Sequence, residues 1–136
     1  KYISEKRLTN QNEIVHRIMG VVLGYQKELS YGHFITDKES NRVIGFVDII
    51  TPDYAQQNYY LKKYTWMIEY YLNKKFWNLG IMKGVIKAIC KDLNNQGISP
   101  IGAVCDKSNL ASIKVLERVG FSRIEAFDYK QDYYEL

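Results

Sequence analysis

The sequence predicts an α/β (α+β) fold in which helices flank a mixed, mostly antiparallel sheet. Pairs of β-rich segments joined by polar turns lie near the start and at the end of the chain, and such pairs form antiparallel hairpins. Between them, a β-rich segment at residues 64–72, a helical pattern at 80–96 and an apolar segment at 98–104 predict a β-α-β unit. We therefore expect a fold of two or three layers.

The composition is that of one ordinary globular domain. The chain has 136 residues, of which 46% are hydrophobic and 25% are charged, so we expect a single domain over residues 1–136. The net charge of +4 suits an anionic ligand, but the clustered basic runs typical of nucleic-acid binding are missing from the sequence. No apolar segment approaches the roughly 18 residues that span a bilayer, so we expect a cytoplasmic protein with no membrane partner. Cys90 and Cys105 are expected to be buried, reduced thiols.

The first predicted element is a helix over residues 10–27, where apolar residues recur at helical spacing. Residues 31–36 and 43–51 form the first predicted hairpin, because both are rich in β-branched and aromatic residues and a polar turn separates them. Pro52 and the polar residues 56–58 predict a loop after this hairpin.

The long helix of the β-α-β unit is predicted from Gly80 to residue 96, and Gly97 ends it. Its lysines at positions 83, 87 and 91 are expected to lie away from the core. The predicted buried face consists of Ile81, Val85, Ala88, Ile89 and Leu93.

The connection between the strand at 64–72 and this helix has the features of an anion-binding site. The first backbone N–H groups of a helix have no intrahelical partner, and the positive end of the helix dipole lies at the same place. Gly80 allows a ligand to approach the backbone closely, and Lys74, Lys75 and Lys83 add positive charge. The alternative is a simple strand-to-helix connection with exposed lysines.

Residues 106–121 carry start and stop signals for a short helix. Ser108 or Asn109 can cap its N-terminus through a side-chain oxygen, and Gly120 suits the left-handed position after its last turn. Residues 122–134 then predict a final pair of strands. One stripe of the helix is formed by Ser112, Val115, Leu116 and Val119.

Four short motifs occur in order in the second half of the chain. They are Tyr70-Tyr71-Leu72, Trp77-Asn78-Leu79-Gly80, Asn109-Leu110-Ala111-Ser112 and Gly120-Phe121. In this order they resemble the GNAT superfamily of N-acetyltransferases, in particular the branch that includes the ribosomal-protein-alanine N-acetyltransferases. The resemblance implies a sheet with a splayed central strand pair. It also implies an enzyme that uses acetyl-CoA as co-substrate and an amine as acceptor, with no metal.

Two residues depart from the family pattern. Asn78 replaces the usual first glycine of the loop, and Met82 stands where the loop usually ends in Gly or Ala. Both keep their backbone N–H groups, so the departures bear on loop geometry and affinity more than on the identity of the ligand.

The start of the chain also differs from the family. By comparison, Tyr2 and Ile3 resemble the loop after the first helix, which implies that the first strand and part of the first helix are absent from this chain. A missing first strand would leave a sheet edge bare and favour pairing in a homodimer.

The resemblance assigns residues of these motifs to the cofactor. Backbone groups of the strand would bond the pantetheine arm, the loop amides would hold the pyrophosphate, and the short helix would meet the pantetheine or nucleotide end. For Asn109, simple helix capping is the alternative, and both roles can hold. The residues implied are Tyr71, Leu72, Trp77, Asn78, Leu79, Gly80, Ile81, Met82, Asn109 and Lys114.

Two strand carboxylates are candidates for the general base, acting through a water. Glu69 is the carboxylate on the strand leading to the loop, and Asp48 is the one on the strand before it. A solvated strand carboxylate is the alternative for each.

The family's usual general acid is missing from this sequence. Many members of the superfamily have a tyrosine four positions before the Gly-Phe pair, and here that position is Leu116. Ser112 is the candidate replacement, with Tyr129 or Tyr133 as alternatives. The thiolate can also leave as its anion, because a thiol has a pKa of about 8.5.

The acceptor can be narrowed by the cost of deprotonation. An α-amine with a pKa near 8 is about one-tenth neutral at pH 7, whereas a lysine amine needs about 4.6 kcal/mol. A site without a strong base therefore favours a protein N-terminal α-amine over a small amine, attacked directly in a ternary complex. The alternatives are a non-catalytic acyl-CoA-binding regulatory domain, which the leucine at position 116 favours, and an interaction module built on the 12 tyrosines.

Overall fold

The structure is a computed structural model that describes residues 11–136, without the side chains of residues 11–14 and 17. The expectations about a missing first strand, and about Tyr2 and Ile3, lie outside the described residues. The elements in chain order are α1 (Gln11–Gln26), β1 (Ser30–Thr36), β2 (Val43–Ile50), α2 (Pro52–Tyr59), β3 (Trp66–Leu72), a 3-10 turn (Lys74–Phe76), α3 (Ile81–Asn95), β4 (Ile101–Asp106), α4 (Leu110–Val119), β5 (Ser122–Ala126) and β6 (Gln131–Glu135).

Within residues 11–136 the strands form a six-stranded mixed sheet in the order β1-β2-β3-β4-β6-β5. Neighbouring strands are antiparallel except for β3 and β4. These two are parallel because α3 carries the chain from the end of one to the start of the other. The predicted class, with hairpins at both ends and a β-α-β unit between them, is confirmed.

The parallel strands β3 and β4 separate soon after they begin. Trp66 pairs with Ile101 and Met67 pairs with Gly102, and the described pairing stops there. A gap therefore opens toward the C-terminal ends of both strands, as the family resemblance implied. Backbone groups of β3 that would bond a partner strand face this gap.

Each face of the sheet has its own core, because side chains alternate between the two faces. The larger core lies under α3 and α4, and the smaller one lies under α2. Burying an aliphatic side chain such as Ile86 contributes about 1.5–3 kcal/mol. Central residues of the larger core are Val47, Ile68, Leu72, Ile86, Cys90 and Leu116, and those of the smaller are Ile50, Ala55, Leu61, Met67 and Tyr133.

The buried stripe of α3 is rotated relative to the prediction. Ala88 is exposed, so its predicted burial is wrong, while Ile81 and Val85 are half-buried. The stripe is centred one residue later along the helix than expected, which places the side chain of Met82 in the core. The buried residues of α3 are Met82, Ile86, Cys90 and Leu93.

The segment after the first hairpin is a helix and not the predicted loop. α2 begins at Pro52, a position that suits proline because the N–H it lacks would have no intrahelical acceptor. The polar residues 56–58 are exposed on this helix. Their polarity therefore reflects their exposure and does not interrupt the helix.

β4 begins at Ile101, later than the predicted start at residue 98. Residue 98 lies instead just after the turn that ends α3, and its N–H donates to the carbonyl of Leu93 in the last turn of that helix at 3.0 Å. Pro100 has no N–H to contribute to a ladder, and its carbonyl accepts a hydrogen bond from Thr65 Oγ1 at 2.9 Å.

Two other expectations concern burial and membrane segments. Cys90 and Cys105 are free and buried, as predicted. In the part of the chain that the structure describes, no helix is both long enough and apolar enough to cross a bilayer.

Candidate active site

Two adjoining clefts open where β3 and β4 separate. The first, of about 180 Å³, lies between the N-terminus of α3 and one side of α4. The second, of about 720 Å³, extends along the gap to the turn between β5 and β6. The residues that line both clefts, and so mark their junction, are Tyr70, Tyr71, Asn109 and Ser112.

The loop between β3 and α3 is held by side-chain hydrogen bonds to its own backbone. Trp77 Nε1 donates to the carbonyl of Leu72 at 2.8 Å, and Asn73 Oδ1 accepts from the N–H of Lys75 at 3.0 Å. Asn78 and Gly80 both have left-handed backbone conformations, with φ of 60° and 75°. These features turn the chain sharply and place the start of α3 beside the first cleft.

The backbone N–H groups of residues 78–83 find no acceptor among the residues that the structure describes. The first amide of α3 with an intrahelical acceptor belongs to Gly84, which donates to the carbonyl of Gly80 at 3.0 Å. Gly80, as the N-cap, has no side chain to cap the helix. Free donors and the positive end of the helix dipole therefore coincide at the first cleft, an arrangement that favours an anion.

Cationic side chains add to the positive electrostatic potential at the first cleft. Lys83, Lys114 and Arg118 line the first cleft, on α3 and α4. Lys74 and Lys75 lie on the 3-10 turn, are exposed, and do not line it. The positive charge at the cleft therefore comes mostly from the two helices.

The backbone of β3 presents alternate residues to the gap. Asn73 N–H donates to the carbonyl of Ile44 in β2 at 2.7 Å, so by alternation the backbone groups of Tyr71 also face β2. Those of Tyr70 and Leu72 face the gap, although the Leu72 carbonyl already accepts from Trp77. The Tyr70 backbone and the Leu72 N–H are thus placed to bond a ligand in the gap.

Asn109 caps α4, which decides between the two predicted caps. Its Oδ1 accepts from the N–H of Ser112 at 3.2 Å, whereas Ser108 donates to the Asp106 carboxylate. Gly120 ends the helix with a φ of 119°. The cap fixes the first turn of α4 at the junction of the clefts.

A pair of hydroxyl groups lies at the same junction. Ser112 Oγ donates to the Tyr70 hydroxyl at 2.9 Å, and that hydroxyl donates to the Ser112 carbonyl at 3.1 Å. Burial raises the pKa of Tyr70, which therefore stays protonated. No chemical role was predicted for Tyr70 from the sequence. Strand alternation places its side chain on the same face as that of Leu72, and this is the signal that could have indicated a role.

The two candidate bases lie side by side across β2 and β3. Asp48 and Glu69 are directly opposite in the antiparallel register, so their side chains point to the same face. Glu69 lines the second cleft, and the Tyr59 hydroxyl donates to it at 3.4 Å. Asp48 lines neither cleft.

The other groups considered as proton donors are placed differently. Tyr133 donates its hydroxyl to Glu135 at 2.8 Å in the smaller core. Leu116, at the position of the family's usual tyrosine, has no proton to donate; it is 1% exposed and lines the second cleft. Tyr129 lines the outer part of the second cleft and is 83% exposed. Ser112 is the one of these candidate donors that lies at the junction.

Most residues predicted for the site come together in the structure. Lys83 lines the first cleft, as its predicted role in adding positive charge requires. Residues that also line this cleft and were not predicted for the site are Phe76, Ala111, Val115 and Arg118. Leu79 is exposed and lines neither cleft, although its backbone belongs to the loop. The predicted residues that line the first cleft are Tyr71, Leu72, Trp77, Asn78, Gly80, Ile81, Met82, Asn109, Ser112 and Lys114.

Among residues 11–136 whose side chains are described, no group of three or more His, Cys, Asp or Glu side chains could hold a metal ion.

Comparison with protein families gives one match that covers most of the chain. The model of the acetyltransferase (GNAT) domain matches residues 2–122. No curated protein sequence matches the chain significantly.

Solved structures share the fold at low sequence identity. Ribosomal-protein-S5-alanine acetyltransferase from Vibrio fischeri is 18% identical with a TM-score of 0.69, over 92% of this chain and 70% of that one. The microcin C7 self-immunity acetyltransferase MccE, in complex with acetyl-CoA and AMP, is 23% identical with a TM-score of 0.75, over 94% and 72%. RimL, a ribosomal L7/L12 α-N-protein acetyltransferase in complex with coenzyme A, is 21% identical with a TM-score of 0.74, over 94% and 73%.

Proposed function

The chain belongs to the GNAT family of acetyl-CoA-dependent N-acetyltransferases, and we propose that it acetylates a primary amine, with a protein N-terminal α-amine preferred over a small amine. The observation that carries this proposal is the row of backbone N–H groups at residues 78–83, which have no acceptor in the described structure and lie at the edge of a cationic cleft. A diphosphate needs several converging donors and positive charge, and both are present.

The cofactor would lie across the junction of the two clefts. In this arrangement the amides of residues 78–83, with the side chains of Lys83 and Arg118 nearby, hold the pyrophosphate. The predicted Trp77 amide takes no part, because its N–H donates to the carbonyl of Lys74 at 3.1 Å. Lys114 meets the nucleotide end, and Asn109 combines a cap with a ligand contact. The pantetheine arm bonds the gap-facing backbone of Tyr70 and Leu72, and Tyr71, whose ring stacks on Phe46, lines the junction of the clefts.

In the transfer that we propose, the neutral acceptor amine attacks the acetyl carbonyl directly. A C–N bond forms, the C–S bond breaks, and the amine proton passes to water and then to Glu69, which lines the second cleft. Ser112 donates a hydrogen bond to the departing thiolate, which leaves as its anion because a thiol has a pKa of about 8.5. Direct attack is also favoured because burial raises the pKa of Cys105, which leaves this cleft thiol protonated and poorly nucleophilic.

The preference for an N-terminal α-amine follows from the weakness of the available base. Glu69 and Asp48 are both carboxylates and lie on one sheet face. A carboxylate is a weak base near pH 7. The α-amine is already partly neutral at that pH, so it needs less help than a lysine side chain. The α-N-protein acetyltransferase RimL has the same fold, which supports this choice.

Two measurements test the proposal. Calorimetric titration with acetyl-CoA should show saturable binding, and thiol release should then be measured with a panel of acceptors. The panel contains short peptides beginning with alanine or serine, the same peptides with a blocked N-terminus and one internal lysine, a polyamine and an aminoglycoside.

We expect turnover with the free N-termini and little with the blocked peptides. Activity confined to the small amines would contradict the peptide preference. Binding without turnover on any acceptor would instead favour the acyl-CoA-binding regulatory domain, for which the buried leucine at position 116 is the supporting feature.

A further inference from the structure

Two hydrogen bonds join β3 to the first turn of α4 across the gap in the sheet. The Tyr70 hydroxyl donates to the Ser112 carbonyl, and Ser112 Oγ donates to the Tyr70 hydroxyl. Because a carbonyl can only accept, the Tyr70 hydroxyl must donate to it. The single proton of Tyr70 is then used, so Ser112 Oγ is the donor in the second bond. Tyr70 thus holds both the backbone and the side chain of Ser112.

We propose that Tyr70 is a positioning residue for acetyl transfer, which acts by holding the Ser112 hydroxyl at the junction of the two clefts. The inference rests on the proposed function, because it concerns the group that meets the departing sulfur. It adds a residue to which neither the motifs nor the comparisons give a role.

The geometry allows the pair to change donors together. When a thiolate develops in the junction, the Ser112 O–H can turn toward it, and the Tyr70 O–H can turn from the carbonyl to Ser112 Oγ. Both hydroxyl protons stay on their oxygens, and the sulfur gains a hydrogen bond whose donor is itself hydrogen-bonded. Burial favours the neutral form of Tyr70 by raising its pKa. Tyr70 is therefore better suited to donate a hydrogen bond than to give up its proton.

The position of Tyr70 also explains how the site can work with leucine at position 116. Leu116 belongs to the larger core and also lines the second cleft, where it offers no hydroxyl group. Tyr70 brings a phenol to the neighbouring turn of α4 from the strand side of the gap.

The test is a double-mutant cycle with Tyr70→Phe, Ser112→Ala and the double variant. Turnover of acetyl-CoA is measured with the best peptide from the acceptor panel, and acetyl-CoA affinity is measured by calorimetry. Tyr70→Phe should lower kcat about tenfold, the effect of one lost hydrogen bond, with the Kd for acetyl-CoA changed less than about twofold. The double variant should be no slower than Ser112→Ala, because Tyr70 acts through Ser112.

Tyr134→Phe is the matched control, because Tyr134 is 4% exposed in the same core and lines neither cleft. Its kcat should equal that of the wild type. Multiplying effects in the double variant, an unchanged kcat in Tyr70→Phe, or a change in Kd alone would each overturn the inference while leaving the proposed function standing. A wild-type protein that binds acetyl-CoA but shows no turnover would remove both.

Discussion

Gly80 and Gly84 lie one helical turn apart at the start of α3 and differ in backbone conformation. Gly80 has a φ of 75°, and Gly84 lies within the helix. A Cβ at either position would meet no atom within 4 Å. Their substitutions therefore separate backbone strain from steric contact.

We expect Gly80→Ala to destabilise the protein by about 1 kcal/mol, because alanine rarely adopts a left-handed conformation. Gly84→Ala, the matched control, should stabilise it by about 0.5–1 kcal/mol. Urea denaturation measures both. Equal effects of the same sign would contradict the described conformation of Gly80.

The side chain of Asn109 serves two functions in this account, and they can be separated at the residue level. Asn109→Ala should lower the free energy of unfolding by about 1 kcal/mol through loss of the cap on α4. Asn109→Asp keeps an oxygen for the Ser112 N–H but places a negative charge beside an anion site.

Asn109→Asp should therefore retain stability and lose affinity for acetyl-CoA, which denaturation and calorimetry measure together. If Asn109→Asp binds acetyl-CoA as the wild type does, the residue is a cap alone.

At the scale of elements, the loop between β3 and α3 is ordered by few contacts. The Trp77 indole holds the loop to the Leu72 carbonyl. The 3-10 turn and the left-handed conformations of Asn78 and Gly80 then direct the chain so that the amides of residues 78–83 lie beside the first cleft. Loss of the indole bond should loosen the loop without removing a ligand-binding side-chain group.

Trp77→Phe should weaken acetyl-CoA binding about tenfold, since a ring remains but the N–H is lost. Trp66→Phe is the control, because Trp66 lies at the start of β3 and lines neither cleft. Calorimetry compares the two variants. Equal loss of affinity in both would show that the indole bond of Trp77 is unimportant.

Elements with strong local signals could be predicted from the sequence. The hairpins and α4 carry turn residues and caps at their ends, so their bounds were predicted closely. α2 was missed because Pro52 and a polar segment have the same local composition in a loop and in an exposed first turn. The face of α3 was predicted one residue early because its apolar residues form a wide stripe, whose centre depends on the sheet beneath it.

The site was predicted less completely, for a different physical reason. Loop amides and helix caps depend on the local sequence, so the motifs predicted them. The bond between Tyr70 and Ser112 joins residues 42 positions apart, and it exists because β3 and β4 separate. A contact of that kind requires the packing of α4 against the splayed strands.

On the scale of the whole molecule, the splayed sheet supplies the site and its two cores support it. Beside the second cleft, on the β6 side of β4, polar contacts join three segments. Asp132 on β6 accepts two hydrogen bonds from Arg123 on β5, at 2.8 and 2.9 Å, and forms an ion pair with Lys107 at 3.8 Å. This cluster holds the β5–β6 turn beside the second cleft.

The cluster predicts a pH dependence of stability. The Arg123 hydrogen bonds, with Lys107, hold the pKa of Asp132 below its ordinary value of 3.8. The folded state therefore favours the carboxylate, so this stabilisation is complete above about pH 3.8 and is lost as the pH falls through the lower folded value. Asp132→Asn should flatten the acid limb of a urea-midpoint curve, and Arg123→Gln should do the same. An unchanged acid limb in both variants would contradict this assignment.

The central claim is that the amides of residues 78–83 bind a diphosphate. Backbone NMR of the ¹⁵N-labelled protein tests it most directly, with coenzyme A and with pantetheine, which lacks the diphosphate. Coenzyme A should shift the amide resonances of residues 78–83, whereas pantetheine should leave them in place and shift those of Tyr70 and Leu72. If saturating coenzyme A leaves the resonances of residues 78–83 unmoved, the account is contradicted.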